Sequence, residues 1–425
     1  MSQRRQKAEG RRQHVGALPT AYCLLLTAVC TGCAIVTPIG RRVPILPRQA
    51  REMLDDRYDE VTGVMHIHTI YSDGGGTFED VARAANQQQL DYLIVTDHNT
   101  LKPLSDGKQG WYGMTLVLVG EELSTRGGHY LALNVREDVS RYQPTQAIID
   151  EVNRQGGLGF IAHPYFKKRP WTDWTVTGFT GIEGYNVAHD ALDENKLRIA
   201  LWGVTVPADP LFLSMVDRPY DPLAKWDELI AKHGKLVGIG SSDAHEVRIL
   251  GFKIAPYDIM FKLARMHVLL PAGTPLSAEA LYEGLRNGHA YFSIDLVADA
   301  RGFTFMADDT KQVLGVMGET VLLRPDLQLT AILPAPAELT LFKDGRALAT
   351  VIGALWHVPI TQPGVYRLEA SRHGTPWIFS NPIYVTAPAP DPPPPAPTAE
   401  PAQPPSTDTT STPEQPAAGD QPEAG

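Results

Sequence analysis

The stretch HIHTIYSDG at 66–74 sets two histidines one residue apart and an aspartate five positions beyond the second. In an extended strand, residues two apart point to the same side, so His66 and His68 can grip one ion. Ser72, Asp73 and Gly74 are turn chemistry, and a turn there can fold the Asp73 carboxylate back over the imidazoles. A single such pair is weak, because most histidines are simply hydrogen-bonded. This chain, however, repeats the chemistry. VTDHN supplies Asp97 and His98, VGEELS supplies Glu121 and Glu122, GGHY supplies His129, IAHP supplies His163, and SSDAH supplies Asp243 and His245. Clustered imidazoles and carboxylates cost desolvation unless a cation or a network offsets it. The candidate metal ligands are therefore His66, His68, Asp73, His98, Glu122, His129, His163, Asp243 and His245. A set with nitrogen and oxygen but no sulfur suits Mn, Zn or Fe. It exceeds what one tetrahedral ion takes, so two or three divalent ions with a bridging carboxylate are expected. Paired ions activate water at neutral pH and stabilise a developing oxyanion.

Elements that would position these groups alternate between about 60 and 290. Strand candidates are 63–68, 92–97, 115–120, 130–135, 159–163, 181–186 and 236–243. Between them run helical segments, such as TFEDVARAANQQQL with Thr77 as N-cap and Asp80 at the box position. PTQAIIDEVNRQGG opens on Pro144 and closes on glycine, and DPLAKWDELIAKHG and SAEALYEGLRNG repeat the design. Seven strands interleaved with helices predict an α/β fold with a parallel barrel. Most candidate ligands fall at strand C-terminal ends, where such barrels place their chemistry. His129 is the exception, at a strand start.

Composition sets the surroundings. The 425 residues exceed one ordinary domain, and a net charge of -10 argues against a surface that coats nucleic acid. The three cysteines, Cys23, Cys30 and Cys33, lie near the N-terminus, so the body can hold neither a disulfide nor a thiolate metal site. Residues 1–33 have a basic start, an uncharged apolar run and CTGC, which resembles a bacterial lipobox with Cys30 where leucine is preferred. The expectation is an exported lipoprotein anchored in the cell envelope through Cys33. Residues 34–58 read as a linker, 59–296 as the barrel and 297–386 as a small β-sandwich, immunoglobulin-like but without the cysteine pair. Residues 387–425 are a Pro-rich tail too poor in large apolar side chains to order itself.

The ordered motifs over about 61–290 resemble those of the polymerase-and-histidinol-phosphatase (PHP) superfamily of metallohydrolases, and within it the branch that contains carbamate-ester hydrolases. The resemblance implies a distorted seven-stranded β/α barrel. It implies one ion held by His66, His68, Glu122 and Asp243, and a second by Asp73, His98 and His245. Glu122 would bridge to a third, held with His129 and His163. The family pattern fits GEELS when Glu122 is the ligand; if Glu121 points inward instead, the bridge changes. Glu183 and Asn186 in GIEGYN match a family motif and would line the pocket or brace a ligand.

Glu122, Asp243 and Arg248 are the candidate catalytic groups, Arg248 as a binder of a substrate anion or else a surface arginine. Asp97 is expected to orient His98, or else simply to cap its strand. His189, His233, His267, His289, His357 and His373 lack ligand context and read as structural. Segment 189–222 is long for a connection, and its Trp202, Phe212 and Met215 would either form an apolar substrate wall or pack on the barrel. Three functions remain: a phosphoesterase, a carboxyl- or carbamate-ester hydrolase with the same centre, and a non-catalytic metal-stabilised binding module. No nucleotide-cofactor fingerprint is present, so none is expected, although nucleotides remain possible substrates.

Overall fold

The computed structural model describes residues 57–188, 207–249 and 252–388. The expected signal segment, the Pro-rich tail, His189 and Trp202 lie outside the described residues. In chain order the strands are β1 (Tyr58–Met65), β2 (Tyr92–Val95), β3 (Gly110–Tyr112), β4 (Thr115–Val119), β5 (Glu121–Ser124), β6 (His129–Leu133), β7 (Leu158–Ile161), β8 (Gly181–Asn186), β9 (Val237–Ser241), β10 (Val247–Ile249), β11 (Phe252–Ile254), β12 (Arg265–Pro271) and β13 (Ala290–Ser293). They continue as β14 (Thr304–Asp308), β15 (Val313–Val316), β16 (Thr320–Leu322), β17 (Gln328–Lys343), β18 (Arg346–Pro359), β19 (Gly364–Arg372), β20 (Thr375–Ser380) and β21 (Ile383–Thr386). The described helices are α1 (Phe78–Gln87), α2 (Lys102–Ser105), α3 (Thr145–Arg154), α4 (Ala208–Leu213), α5 (Tyr220–His233), α6 (Tyr257–Met260) and α7 (Ala278–Asn287). No described helix is long and apolar enough to cross a membrane.

The strands around the candidate ligands close into a ring. β1 pairs with β2 and β2 with β4, both parallel. β4 runs through Gly120 into β5, which opens the series β5-β6-β7-β8-β9. β9 returns to β1 through Ser242 N–H to Met65 O and His68 N–H to Ala244 O. The short strands YLIV, TLVLV and LGFI are wholly buried, as expected of strands covered on both faces. The ring is not all-parallel: β6 runs antiparallel to both β5 and β7. The cause is the four-residue turn 125–128, which is too short for the crossover that a parallel neighbour needs. Reversal of β6 also accounts for His129. The start of β6 lies at the same end of the ring as the ends of the other strands.

Helix signals in the sequence hold locally. Thr77 caps α1, with Thr77 and Asp80 each bonding the other's backbone N–H. Ser277 caps α7, which stops at Gly288 in the left-handed region. The buried faces of these helices, Val81, Ala82 and Ala85 in α1 and Leu281 and Leu285 in α7, pack onto the ring.

Beyond residue 297 alternating strands form with their own core of Phe305, Leu329, Leu339, Leu368, Trp377 and Ile383, but two of them, β17 and β18, are long (16 and 14 residues) where short strands were expected. Asp344 and Gly345 both take positive φ in the β17–β18 turn, the two-residue hairpin that the KDGR stretch signals. These strands do not form a free-standing sandwich. β20 pairs with β13, Tyr291 opposite Ser380 and Ser293 opposite Ile378, so one sheet runs from β2 and β1 through β12 and β13 into the C-terminal strands. Alternation in a sequence shows which face of a strand is buried but not which edge it joins.

A buried charge cluster fastens β19 to α5. Arg367 donates to both Asp227 oxygens at 2.8 and 2.7 Å and also meets Glu369, while Arg218 grips Glu369 at 2.6 and 2.7 Å. Asp227→Ala leaves the buried Arg367 guanidinium half-compensated. It is expected to cost about 3 kcal/mol, the low end for breaking a buried pair because Glu369 remains. A lower urea midpoint with an unchanged slope is the readout; an unchanged midpoint would show the pair to be idle.

Candidate metal centre

All nine predicted ligands come together at one end of the ring. The HIH run reaches the centre by a different route from the one its spacing suggests. β1 ends at Met65, and His66 has φ 64°, so the two histidines do not share a regular strand. Their rings nevertheless stand 5.1 Å apart. His163 and Asp243 also take positive φ, at 23° and 49°. Non-glycine residues rarely adopt this region, and such strain gathers where a site needs it. The turn after His68 then passes close over the strand end. A Cβ on Gly74 would lie 2.2 Å from the His68 carbonyl oxygen, so only glycine fits there.

Glu122 is the hub. Its Oε2 lies 3.1 Å from His66 Nε2, 3.2 Å from His68 Nε2 and 3.0 Å from His98 Nδ1. Its Oε1 lies 2.5 Å from His129 Nδ1 and 2.9 Å from His163 Nε2. One carboxylate thus faces two sets of imidazoles with two different oxygens, which is the geometry of a bridge. Asp243 Oδ1 closes the first set, 3.5 Å from His66 Nε2 and 3.2 Å from His68 Nε2. Asp73 Oδ1 stands 3.3 Å from His245 Nε2, and its Oδ2 3.7 Å from His98 Nε2. Three groups have donor atoms close enough for one ion each: His66, His68, Glu122 and Asp243; His68, Asp73, His98 and His245; and His98, Glu122 and His129. Glu121 turns away, and its carboxylate accepts from Val139 N–H at 3.2 Å. Burial pushes the Glu121 pKa up to about 8.

Donor chemistry tests the fit to divalent ions. His66 Nε2, His68 Nε2, His98 Nδ1 and Glu122 Oε2 are all buried without a hydrogen-bond partner. Orphaned buried polar atoms are rare and costly, and four converging on one point fit a cation. Tautomers fit as well. His66 Nδ1–H donates to Glu183 Oε1 at 2.6 Å, and His245 Nδ1–H to the Asp243 carbonyl at 2.8 Å, which leaves each Nε2 lone pair facing the centre.

Burial alone would push the Glu122 carboxyl up, but the surrounding imidazoles, His66 first, hold it well below the usual range. Burial pulls His68 down, yet Asp243 and Glu122 outweigh it and push it up to about 9. Burial dominates at His98 and lowers it to about 4. A ligand imidazole must be neutral. Metal therefore displaces a proton from His68 below about pH 9 and none from His98 near neutrality. Apparent metal affinity is expected to rise with pH as His68 and the likewise raised His66 give up their protons. Calorimetry in buffers of different ionisation enthalpy should detect the released proton; proton-free binding at pH 7 would contradict it.

The surrounding groups differ in part from expectation. Asp97 does not orient His98. It accepts from Thr69 N–H, Thr69 Oγ1–H and Ser72 Oγ–H at 2.6–2.7 Å, so it braces the loop that carries Asp73. Thr69 was not singled out in the sequence, and Ser72 only as turn chemistry, although both sit inside the HIHTIYSDG run. Glu183 braces His66 and also accepts from His163 N–H at 2.6 Å and from Asn186 at 3.0 Å. Tyr257, remote in sequence, donates to the His68 carbonyl at 2.7 Å, and no local signal marks it. Arg248 lies in β10, but its side chain falls outside the described residues. His267 lies apart from the centre, paired with Glu60 at 2.6 Å. Of the 189–222 segment, Met215 is buried and Phe212 packs on the ring's core.

No family profile and no curated protein matches the chain. Several solved structures are similar. One is a two-domain protein from Bacteroides vulgatus described as containing a PHP-like metal-dependent phosphoesterase, at 14% identity and TM-score 0.40, covering 76% of this chain and 95% of that one. A second, from Bifidobacterium adolescentis and described as a metal-dependent phosphoesterase by inference alone, is at 14% identity and TM-score 0.28, covering 46% and 93%. A third is an amidohydrolase from Chromobacterium violaceum with bound sulfate, at 14% identity and TM-score 0.29, covering 43% and 87%. These are distant likenesses of shape, and the donor geometry above carries the chemistry that follows.

Proposed function

We propose that this chain is a metal-dependent phosphoesterase of the PHP type, working at a di- or trinuclear centre bridged by Glu122. The observation that carries the proposal is Glu122 itself, buried and facing two sets of imidazoles with its two oxygens. Divalent ions bound there would supply a water made acidic near neutral pH and positive charge against the phosphoryl oxygens. The chain's own residues hold that arrangement. Glu183 keeps the proton on His66 Nδ1, so that Nε2 faces inward. The Asp243 carbonyl does the same for His245. Asp73, more than half exposed, and His98 and His245, each about a quarter exposed, form the open side where substrate can approach.

A neutral carboxyl or carbamate ester would call for an apolar pocket. Of the two readings of segment 189–222, its described side chains Phe212 and Met215 follow the packed one, which favours the phosphoester. Manganese, zinc and iron all suit the donor set. Initial rates on chromogenic phosphomono-, phosphodi- and carboxyl-esters, with each metal and with His66→Ala as blank, test the proposal. Phosphoester turnover that His66→Ala loses is the expected result. Carboxyl-ester turnover alone would transfer the centre to carbonyl chemistry, and metal binding without turnover would favour a binding module. We further propose, on the 1–33 segment, export and lipid anchoring at Cys33. Palmitate labelling that survives Cys33→Ser would overturn the anchor.

A further inference from the structure

The two loops that carry ligands on the His129 side of the centre also carry cations. Arg126 sits between Glu122 and His129 in the β5–β6 turn, and Lys168 and Arg169 follow His163. The loops are joined: Thr172 N–H donates to the Gly127 carbonyl at 2.6 Å, and Arg169 Nη2 reaches the Thr125 carbonyl at 3.4 Å. Between them opens a cleft of about 580 Å³ whose lining includes Arg126, Arg141, Lys168 and Arg169 and no carboxylate. Ser124, also in the lining, has its hydroxyl 3.3 Å from His129 Nε2, so the cleft begins one contact from the centre.

The cations have no anionic partner among the described residues. Arg126 reaches only the Tyr142 carbonyl, at 3.4 Å, and Arg141 the Tyr142 hydroxyl, at 3.1 Å. Asp173 packs against Gly127 but is engaged with the Thr175 hydroxyl at 2.6 Å and does not line the cleft. Folded surfaces ordinarily intersperse charges of both signs. Four like charges around one hollow raise the local potential and draw in anions. Guanidinium forks suit phosphate oxygens in particular.

We propose that this cleft binds a second anionic group of the substrate, so that the preferred substrates are phosphoesters with a further phosphate-like charge. The proposal rests on the phosphoesterase reading of the centre and narrows its substrate class.

The test uses the full chain loaded with manganese. Phosphate release from 1,4-butanediol bisphosphate and from butyl phosphate gives a ratio of kcat/KM. The expected ratio is at least about tenfold, weakening with salt, and in Arg126→Gln/Arg169→Gln it falls toward the roughly twofold that two equivalent phosphates give. Hydrolysis of both compounds at equal efficiency per phosphate overturns the cleft and leaves the phosphoesterase intact. If neither is hydrolysed, the phosphomonoesterase form of that reading fails on its own, and calorimetry with the bisphosphate decides on the cleft. Binding that the double variant weakens by less than about threefold overturns the anion site. A larger loss retains it for an anionic substrate of another bond class.

Discussion

Glu122→Gln is expected to lower phosphoester kcat/KM by roughly 10³-fold or more, beyond what raising the metal concentration restores. The amide keeps the shape and removes the charge. In the folded protein Glu122 stands within 3.2 Å of five imidazoles, shared between its two oxygens. An amide offers one acceptor oxygen and presents N–H where the other set expects a lone pair. Ions on the two sides would lose the group they share, and their charges would no longer be offset. Loss of one preorganised stabiliser alone costs 10²–10³-fold in typical sites, and here the spacing between ions goes with it. Bound metal per chain should fall as well. Full activity at saturating metal would show that Glu122 is not the bridge.

Glu183→Gln is expected to fail differently. Glu183 lies behind His66 and is placed to touch neither ion nor substrate. Burial would push its carboxyl up, but His66 keeps it below its ordinary range, so it faces His66 Nδ1–H as a carboxylate. That pairing fixes the ring and makes Nε2 a better donor. Partners of this kind are worth about 10–100-fold in metal affinity. Glu183→Gln should therefore weaken metal binding by that factor, while kcat returns at saturating metal. The two variants separate a ligand from a positioning residue. If kcat of Glu183→Gln stays low when metal saturates, the carboxylate has a direct part in the reaction.

Much of this centre is legible in the sequence because its ligands follow short apolar strands. YLIV before Thr96-Asp97-His98 and TLVLV before Gly120-Glu121-Glu122 each announce a buried strand whose end can point a side chain inward. Spacing fails where the backbone leaves regular geometry. The positive φ of His66, His163 and Asp243 is set by the contacts of the folded ring and not by the identity of those residues. Reversal of β6 was hidden for another reason: the turn STRGG is readable, but its effect on His129 appears only when the strands close on each other. Glu183 braces a ligand, one of its two expected roles, whereas Asp97 departs from its expected role because a carboxylate finds whichever donors folding brings to it, here Thr69 and Ser72. The β13–β20 pairing joins residues at least 85 apart, Ser293 to Ile378 at its closest, and no local signal specifies such an edge.

Anomalous diffraction at the manganese edge, from crystals of the protein equilibrated with manganese, tests the central claim most directly. Two or three peaks are expected, with neighbours roughly 3.5–4 Å apart, one by His66, His68 and Asp243 and another across Glu122 toward His129 and His163. A single peak that Glu122 does not touch, or none at all, would contradict the bridged centre.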